Sequence, residues 1–254
     1  MKQFEGLANF RDIGGLATAD GRHMKANVLF RSDDLSQLSR PDLRKMEQLN
    51  LRLICDLRTP TERRARPDRI PAGNVRVVNV PIYQSEVGFL RPRILGFLLR
   101  RSSESDFEEF VRDYYQTIAF QQTAQIREVI TLISEETNLP ALIHCTIGRD
   151  RTGLIAALVQ LLVGVPRSVV IDDYLISNNY YEARIAALAN RARWLRLLGV
   201  TPERVREMLE ARAEYLAETL DHIIALYDSV EEYLNKACSI NRRRLRNLRQ
   251  LLVE

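Results

Sequence analysis

A cysteine and an arginine separated by five residues form the pair in this sequence that could carry out chemistry. They are Cys145 and Arg151, and they lie within His-Cys-Thr-Ile-Gly-Arg-Asp-Arg-Thr-Gly at positions 144–153. An apolar run at 139–143 precedes the motif and another at 152–163 follows it, which predicts a strand, a loop and a helix in that order. The loop amides and the helix N-terminus would then form a cradle for an oxyanion.

The same cradle would make Cys145 a nucleophile. Amide dipoles, the helix N-terminus and the charge of Arg151 all favour the thiolate over the thiol. A thiolate beside a bound phosphate can attack phosphorus in line and form a cysteinyl-phosphate, which water then hydrolyses. Arg151 would clamp two phosphate oxygens with its planar guanidinium, and Thr152 would hydrogen-bond the sulfur as it leaves. The alternative, an ordinary buried cysteine, requires six residues to match this spacing by chance.

The other residues of the loop are predicted to bind the phosphate or to shape its site. Thr146, Ile147 and Gly148 would offer backbone amides, and Gly148 would permit the tight turn. Arg149 would add a second positive charge beside a ligand that carries more than one phosphate. His144 would orient the loop and tune the thiol, although a histidine that merely ends the strand fits the sequence equally well.

These residues resemble the signature of the protein tyrosine phosphatase superfamily, His-Cys-x5-Arg-Ser/Thr. The loop is similar in particular to that of bacterial PtpB/LipA-type phosphatases, His-Cys-x-x-Gly-Lys-Asp-Arg-Thr-Gly, with Arg149 in place of the lysine. Further blocks along most of the chain resemble the same family in the same order. They are Asn9–Gly15, Phe30–Leu35, Asp56–Arg58 with Glu62, Val80–Pro81, Tyr215–Leu216 and Tyr233–Leu234. The resemblance adds Arg58 and Asp56 to the predicted substrate-binding residues.

The resemblance implies a cysteine-dependent phosphatase that needs no cofactor. Phosphotyrosine is the expected substrate, with phosphoserine, phosphothreonine and phosphoinositides as extensions, because the lysine that Arg149 replaces is associated with phosphoinositides. Two other classes stay open. One is a phosphate-binding module with poor catalysis, and the other is a different Cys-x5-Arg thiol enzyme such as an arsenate reductase.

No motif marks the general acid that protonates the leaving oxygen. The tyrosine-specific branch of the superfamily uses the aspartate of a Trp-Pro-Asp loop, but the only tryptophan here, Trp194, is followed by Leu195. Asp150, inside the phosphate loop, is therefore the first candidate, and Asp56 is a more distant second. The alternative role for Asp150 is to pair with a neighbouring arginine or to accept from loop amides.

Strands that alternate with helices predict an α/β fold with a central, largely parallel sheet flanked by helices. Strands are expected at 27–30, 51–57, 75–80 and 139–143, and helices at 39–49, 61–66 and 152–163. After the motif, helices are expected at 168–177, 181–198, 202–211, 214–227, 230–237 and 241–252. Residues 166–254 would thus form a helical C-terminal part packed on the same core, within a single domain at 1–254.

Residues 84–121 interrupt this alternation and suggest a helical lid insertion. Apolar residues there are interleaved with Arg91, Arg93, Arg100 and Arg101. The resemblance to the PtpB-type phosphatases implies that this segment is a mobile lid over the phosphate loop. The basic amphipathic pattern also suits a patch that transiently contacts anionic lipid. A plain core helix is the alternative.

Composition is that of a soluble enzyme. The 254 residues are 46% hydrophobic, which suffices for one substantial core, and no run of 18 apolar residues suggests a membrane span. The formal net charge is +4 and arginine accounts for 33 of the 37 basic residues, but no nucleic-acid-binding or zinc motif accompanies them. Three cysteines and no secretory signal make the cytoplasm the default compartment. Export without a cleaved signal stays open, because the family includes secreted members, and the sequence is silent on the oligomeric state.

Overall fold

A five-stranded sheet organises the fold. The computed structural model describes residues 4–82, 103–180 and 201–254, together with position 96. The strands are β1 (Arg11–Asp12), β2 (Leu29–Ser32), β3 (Leu53–Asp56), β4 (Arg76–Asn79) and β5 (Ala141–His144). Their order in the sheet is β1-β2-β5-β3-β4, and all neighbours are parallel except β1 and β2. The predicted α/β fold with a largely parallel sheet is confirmed.

The register of the three inner strands brings their carboxyl ends to one edge. His144 at the end of β5 lies opposite Ser32 on β2 and opposite Asp56 on β3. Every residue of these three strands is buried, as expected for parallel strands covered on both faces. The motif therefore begins where open α/β sheets bind ligands.

Ten helices are described around the sheet. They are α1 (Arg40–Glu47), α2 (Pro60–Ala65), α3 (Glu104–Gln121), α4 (Thr123–Ile133), α5 (Asp150–Leu162), α6 (Arg167–Leu175), α7 (Pro202–Leu209), α8 (Ala213–Tyr227), α9 (Val230–Lys236) and α10 (Arg242–Leu252). Each predicted helix in the described parts of the chain is present, with ends shifted by up to two residues. The helix predicted at 181–198 lies outside the described residues. Within the described parts, no helix has the length and hydropathy to cross a bilayer.

Local capping explains where two of the helices begin. The side chains of Ser39 and Thr59 each accept a hydrogen bond from the amide of the third residue of the following helix, and that residue's carboxylate accepts one from the cap amide. The carboxylates belong to Asp42 in α1 and Glu62 in α2. Such capping boxes satisfy helix amides that would otherwise lack partners. In α2 the box also orients Glu62.

The buried side chains form two clusters, one on each face of the sheet. Successive strand residues alternate between them: Cys55 and Ile143 join the larger cluster, whereas Ile54 and Leu142 join the smaller. Helix α5 lies inside the larger cluster, where eleven of its thirteen residues are buried. This burial fixes the position of α5, and therefore of Asp150, the residue with which the helix begins immediately after the loop.

The insertion predicted at 84–121 divides into two parts. Residues 104–121 form α3, which buries Phe107, Phe110 and Tyr115 in the larger cluster, so this part is a core helix. The basic segment at 84–102 lies, except for Gly96, outside the described residues, and its role as a lid or lipid contact stays a prediction. The C-terminal helices also join the larger cluster, for example through Leu220.

Leu154 tests the contribution of the α5 core to stability. It is fully buried, so Leu154→Ala should lower the free energy of unfolding by about 2–5 kcal/mol in a denaturant titration. The control is Leu226→Ala on α8, where the side chain is 58% exposed and the change should stay within about 0.5 kcal/mol. Similar losses in both variants would contradict the placement of α5 at the centre of the core.

Candidate active site

The loop from β5 to α5 starts at Cys145 and turns sharply at Gly148. Gly148 has a φ of 71°, in the left-handed region, and an added Cβ would lie 2.4 Å from the carbonyl oxygen of Ser32. Only glycine fits both conditions, because any side chain would meet the backbone of β2. The turn returns the chain over Cys145, whose sulfur accepts a hydrogen bond from the Gly148 amide at 3.1 Å.

The carbonyl groups of the loop are bonded away from Cys145. The Thr146 oxygen accepts from the Asp34 amide at 3.4 Å. The oxygens of Ile147 and Gly148 accept from Asn9 Nδ2 at 3.3 and 3.0 Å. In a planar trans peptide the next N–H points opposite to the carbonyl, so the amides of residues 147–149 face inward. Since α5 has no side-chain cap, its first amides are also available to an anion.

Arg151 is held in position by a carboxylate. Its Nη1 and Nη2 donate to the two oxygens of Glu62 at 2.8 and 2.7 Å, and Nη2 also approaches Thr146 Oγ1 at 3.3 Å. Thr146 Oγ1 in turn donates to Glu62 at 2.6 Å. Burial opposes ionisation of Glu62, but the bonds and charge of Arg151 hold the pKa of Glu62 at about 2. The structure thus joins two predicted site residues, Arg151 and Thr146, through Glu62, to which the sequence had given no role.

Asp150, the first residue of α5, is paired with its neighbour Arg149. Arg149 donates to the two carboxylate oxygens at 2.8 and 3.2 Å, and the hydroxyl of Tyr115 donates at 2.8 Å. Burial raises the pKa of Asp150, but the charge and bonds of Arg149 outweigh it and lower the net pKa. The alternative weighed for Asp150, a partner for a neighbouring arginine, is therefore present in the structure.

Arg149 also bonds the chain beyond its own loop. Its Nη1 donates to the carbonyl oxygens of Met208 and Glu210 at 3.1 and 3.2 Å, at the end of α7. With Asp150, these partners occupy all three nitrogens of the guanidinium. The predicted contact between Arg149 and a substrate stays a prediction, and it requires some of these bonds to break.

Arg58 and Asp56 lie behind the loop in a buried network. Arg58 donates to Asp56 at 2.9 Å and to Asp68 at 2.5 Å, and both Arg58 and Asp56 are at most 1% exposed. The structure therefore places neither where a substrate could touch it. Instead, Asp56 and Asp68 lie 3.8 and 3.5 Å from Nε2 of His144. Because Asp56 is fully buried, it is also poorly placed to act as the general acid that protonates a leaving group.

Three ligand atoms in this network are close enough to hold a metal ion. They belong to Asp56, Asp68 and His144 and lie within 4.8 Å of one another. The Arg58 guanidinium already contacts both carboxylates, and Arg63 contacts Asp56 at 3.0 Å, so two cations balance the two carboxylates and the donor set does not fit a divalent cation. Burial lowers the pKa of His144 in spite of the two carboxylates. The network therefore supports the end of β5, where the loop begins.

The remaining predicted residue, Thr152, is buried in the first turn of α5. Its hydroxyl oxygen has no hydrogen-bond partner among the described residues, so the predicted bond to Cys145 is not formed here. Tyr114 of α3, in contrast, interacts electrostatically with Cys145, Glu62, Asp150 and Arg151, although no motif marks it. Tyr114 and Tyr115 are adjacent in sequence, and only the packing of α3 brings them to the loop.

The other two cysteines do not resemble redox partners. Cys55 and Cys238 are fully buried and unpaired as disulfides. Burial raises the pKa of Cys55 to about 12 and that of Cys238 to about 11, so both stay thiols at neutral pH. This argues against a thiol relay of the kind that an arsenate reductase would need.

Known proteins resemble this chain along its length. A sequence model described as "Tyrosine phosphatase family" matches residues 2–254. A protein of Cupriavidus necator assigned as a tyrosine-protein phosphatase is 30% identical over 96% of this chain and 86% of its own. The triple specificity protein phosphatase PtpB of Mycobacterium tuberculosis is 30% identical over 96% of this chain and 98% of its own. The solved catalytic core of Siw14 aligns over 59% of this chain and 74% of its own, at 15% identity and a TM-score of 0.35.

Glu62 provides a test of the site's electrostatics through stability. The low folded-state pKa means that ionised Glu62 stabilises the fold above about pH 5, and that this contribution is lost as the pH falls toward 2. Glu62→Gln should therefore be less stable than wild type at pH 7, with a difference that shrinks between about pH 5 and pH 2. Denaturant titrations across this range measure it, with the exposed Glu128→Gln on α4 as control. A difference that is constant with pH would exclude the charged pair with Arg151.

Proposed function

The chain belongs to the tyrosine phosphatase family and is a cysteine-dependent phosphatase, and from this premise we propose that it hydrolyses phosphotyrosine in proteins. We include phosphoserine and phosphothreonine as slower substrates. The observation that carries the proposal is the position of Cys145 at the base of a loop whose amides face inward, with Arg151 already oriented beside it. This arrangement provides a nucleophile, an anion site and a cationic clamp within seven residues.

In the first step, the Cys145 sulfur attacks phosphorus and the bond to the leaving oxygen breaks. The three non-bridging oxygens are received by the inward amides and by the guanidinium of Arg151, which stabilise the charge of the transition state. Arg151 still has its Nε donor and can rotate its fork toward a ligand while one of its bonds to Glu62 persists. The product of this step is a cysteinyl-phosphate and an alcohol or phenol.

Asp150 is the group that we assign to proton transfer. The pairing with Arg149 lowers its pKa and keeps it ionised, which by itself would prevent it from donating a proton. A phosphate dianion in the loop adds negative charge beside Asp150 and disfavours its ionised form. Substrate binding would therefore raise the pKa of Asp150 and allow it to protonate the leaving oxygen. In the second step the resulting carboxylate can accept a proton from the attacking water.

Phosphoinositides are a second candidate substrate class. The specific observation in favour is that Arg149, a second cation in the phosphate loop, lies at the N-terminus of α5 beside Asp150. Its bonds to Met208 and Glu210 must give way before it can bind another phosphate group, so we expect phosphoinositide turnover to be lower than phosphotyrosine turnover.

Replacing the nucleophile tests the mechanism. Cys145→Ser should lose all turnover of aryl phosphate and phosphotyrosine peptide, measured as phosphate release in the presence of a metal chelator. Wild type should retain phosphate on sulfur after rapid acid quenching, because the cysteinyl-phosphate is an obligatory intermediate. Cys238→Ala, a change at a buried cysteine remote from the loop, is the control and should keep full turnover. Phosphate binding without turnover in folded wild type would favour the binding-module alternative.

The role of Asp150 is tested through the leaving group. Asp150→Asn should slow hydrolysis of an alkyl phosphate or phosphothreonine peptide by about 10²–10⁴-fold, but affect an activated aryl phosphate far less, since a good leaving group needs little protonation. The comparison is kcat for the two substrate types. Asp113→Asn, an exposed position on α3, serves as the matched control. An equal effect of Asp150→Asn on both substrates would assign Asp150 a structural role.

A further inference from the structure

A buried group of polar side chains lies directly behind the phosphate loop. It consists of Asn9, Arg11, Arg31 and Asp173, here called the backing cluster. Asn9 precedes β1, Arg11 and Arg31 pair across β1 and β2, and Asp173 comes from α6. The side chains of Arg11 and Arg31 are 2% and 1% exposed, so neither can contact a substrate.

The backing cluster bonds the outer side of the loop. Arg31 Nη2 donates to the carbonyl oxygens of Gly148 at 2.8 Å and Arg149 at 3.4 Å. Asn9 donates to the same Gly148 oxygen and to that of Ile147. The Gly148 carbonyl thus has two partners, and its peptide plane directs the next amide toward the anion site. Loss of Arg31 would leave the Gly148 oxygen with Asn9 as its side-chain partner and would remove the side-chain bond to the Arg149 oxygen.

The backing cluster also carries more positive than negative charge. Asp173 is shared: Oδ1 lies 3.2 Å from Arg11 Nε, and Oδ2 lies 3.4 Å from Arg31 Nη1. Burial and the nearby charge of Arg31 lower the pKa of Arg11 to about 10, which leaves it charged at neutral pH. Two guanidinium groups therefore share one carboxylate in a buried site. Excess buried charge destabilises a fold, so its presence beside an anion site indicates a function.

Gly153 of the motif connects α5 to the backing cluster. A Cβ at this position would lie 3.2 Å from Arg31 Nη2 and 3.1 Å from the ring of Tyr174. Both contacts are tighter than ordinary packing, so a side chain would displace the Arg31 guanidinium. The last glycine of the motif thus has a physical reason: it allows Arg31 to reach the loop past the first turn of α5.

We propose that Arg31, supported by Arg11 and Asp173, is a positioning residue that holds the phosphate loop open for a dianion and places positive charge behind it. The inference rests on the proposed function, because it assumes that the loop binds phosphate. It assigns a role in the reaction to the residues around Asn9–Asp12 and Phe30–Ser32, far from Cys145 in sequence. In this role Arg31 acts through the loop amides and through its charge, without touching substrate.

The test replaces Arg31 and measures the thiol and anion binding separately from turnover. Arg31→Met removes both the bonds and the charge. We expect ionisation of Cys145, followed by ultraviolet thiolate absorbance, to move to higher pH by roughly one unit, and the inhibition constant of inorganic phosphate to rise about 10-fold or more. Each titration is repeated on the same protein with Cys145→Ser added, and the absorbance of that second protein is subtracted as the background. Cys55 and Cys238 ionise at higher pH and stay outside the window.

Other charged groups also face Cys145 and are unchanged in this comparison. Arg151 and Tyr114 interact with Cys145 directly. Glu62 and Asp150 interact with those two residues, and His144 precedes Cys145 in the chain. The difference between wild type and Arg31→Met therefore isolates the backing cluster. Arg31→Lys keeps the charge but cannot bridge Asp173 and two carbonyls, so it should restore most of the thiol shift and little of the phosphate affinity.

Arg249→Met is the matched control for a lost arginine. Arg249 also bonds a backbone carbonyl and a carboxylate, those of Leu162 and Glu231, but at the opposite end of α5. It should leave the thiol titration and the phosphate inhibition constant unchanged. The same shifts in Arg249→Met would show that loosening α5 is sufficient, and would overturn the inference.

Asp173→Asn separates charge from structural support. It removes the only carboxylate that pairs with Arg11 and Arg31 among the described residues, so a charge effect should move Cys145 ionisation to lower pH. No shift, or a shift to higher pH, would overturn the proposed charge effect, and this variant decides the question if Arg31→Met does not fold. The thiol titration works without catalysis, and a calorimetric titration with inorganic phosphate replaces the inhibition constant where turnover is absent. Absence of turnover in wild type would reject the proposed function, whereas an unchanged thiol titration in Arg31→Met would reject this inference alone.

Discussion

A loop that receives a phosphate dianion must keep its amide N–H groups directed inward even when no anion is bound. Three consecutive inward dipoles repel one another, so the outward carbonyls need partners of their own. In this protein those partners are the Asp34 amide, the Asn9 side chain and the Arg31 guanidinium. They come from the N-terminal quarter of the chain, which explains why a loop at 145–150 depends on strands formed more than a hundred residues earlier.

The same constraint explains the pairing of charges around the site. A cation that binds phosphate would be costly to leave unpaired in a buried place, and each arginine of the loop has a carboxylate as its partner. Glu62 bonds Arg151, and Asp150 bonds Arg149. Substrate then exchanges one ionic partner for another. The carboxylate released from such a pair can take up a proton, which links anion binding to proton transfer.

The prediction from sequence was accurate where the pattern was local. The elements around the motif, the capped start of α1 at Ser39 and the helices after residue 201 follow from periodicity, caps and breakers, which act within a few residues. The prediction was less accurate for residues whose role depends on whether their side chains are buried. The family resemblance placed Arg58 and Asp56 among the predicted substrate-binding residues, yet the structure buries both in a network with Asp68. Asp68 had no sequence signal, because its partners lie ten or more residues away.

The sequence by itself determined the chemistry of this protein: a thiol, a glycine turn and an arginine at this spacing can form little other than an anion site on a strand, loop and helix. Only the tertiary structure decided what surrounds that site. It selected Glu62 as the partner of Arg151, Arg149 as the partner of Asp150, and two buried arginines as the support behind the loop. The physical reason is that backbone dihedrals and short-range spacing are encoded locally, whereas the partner of a buried charge depends on which distant strand or helix packs against it.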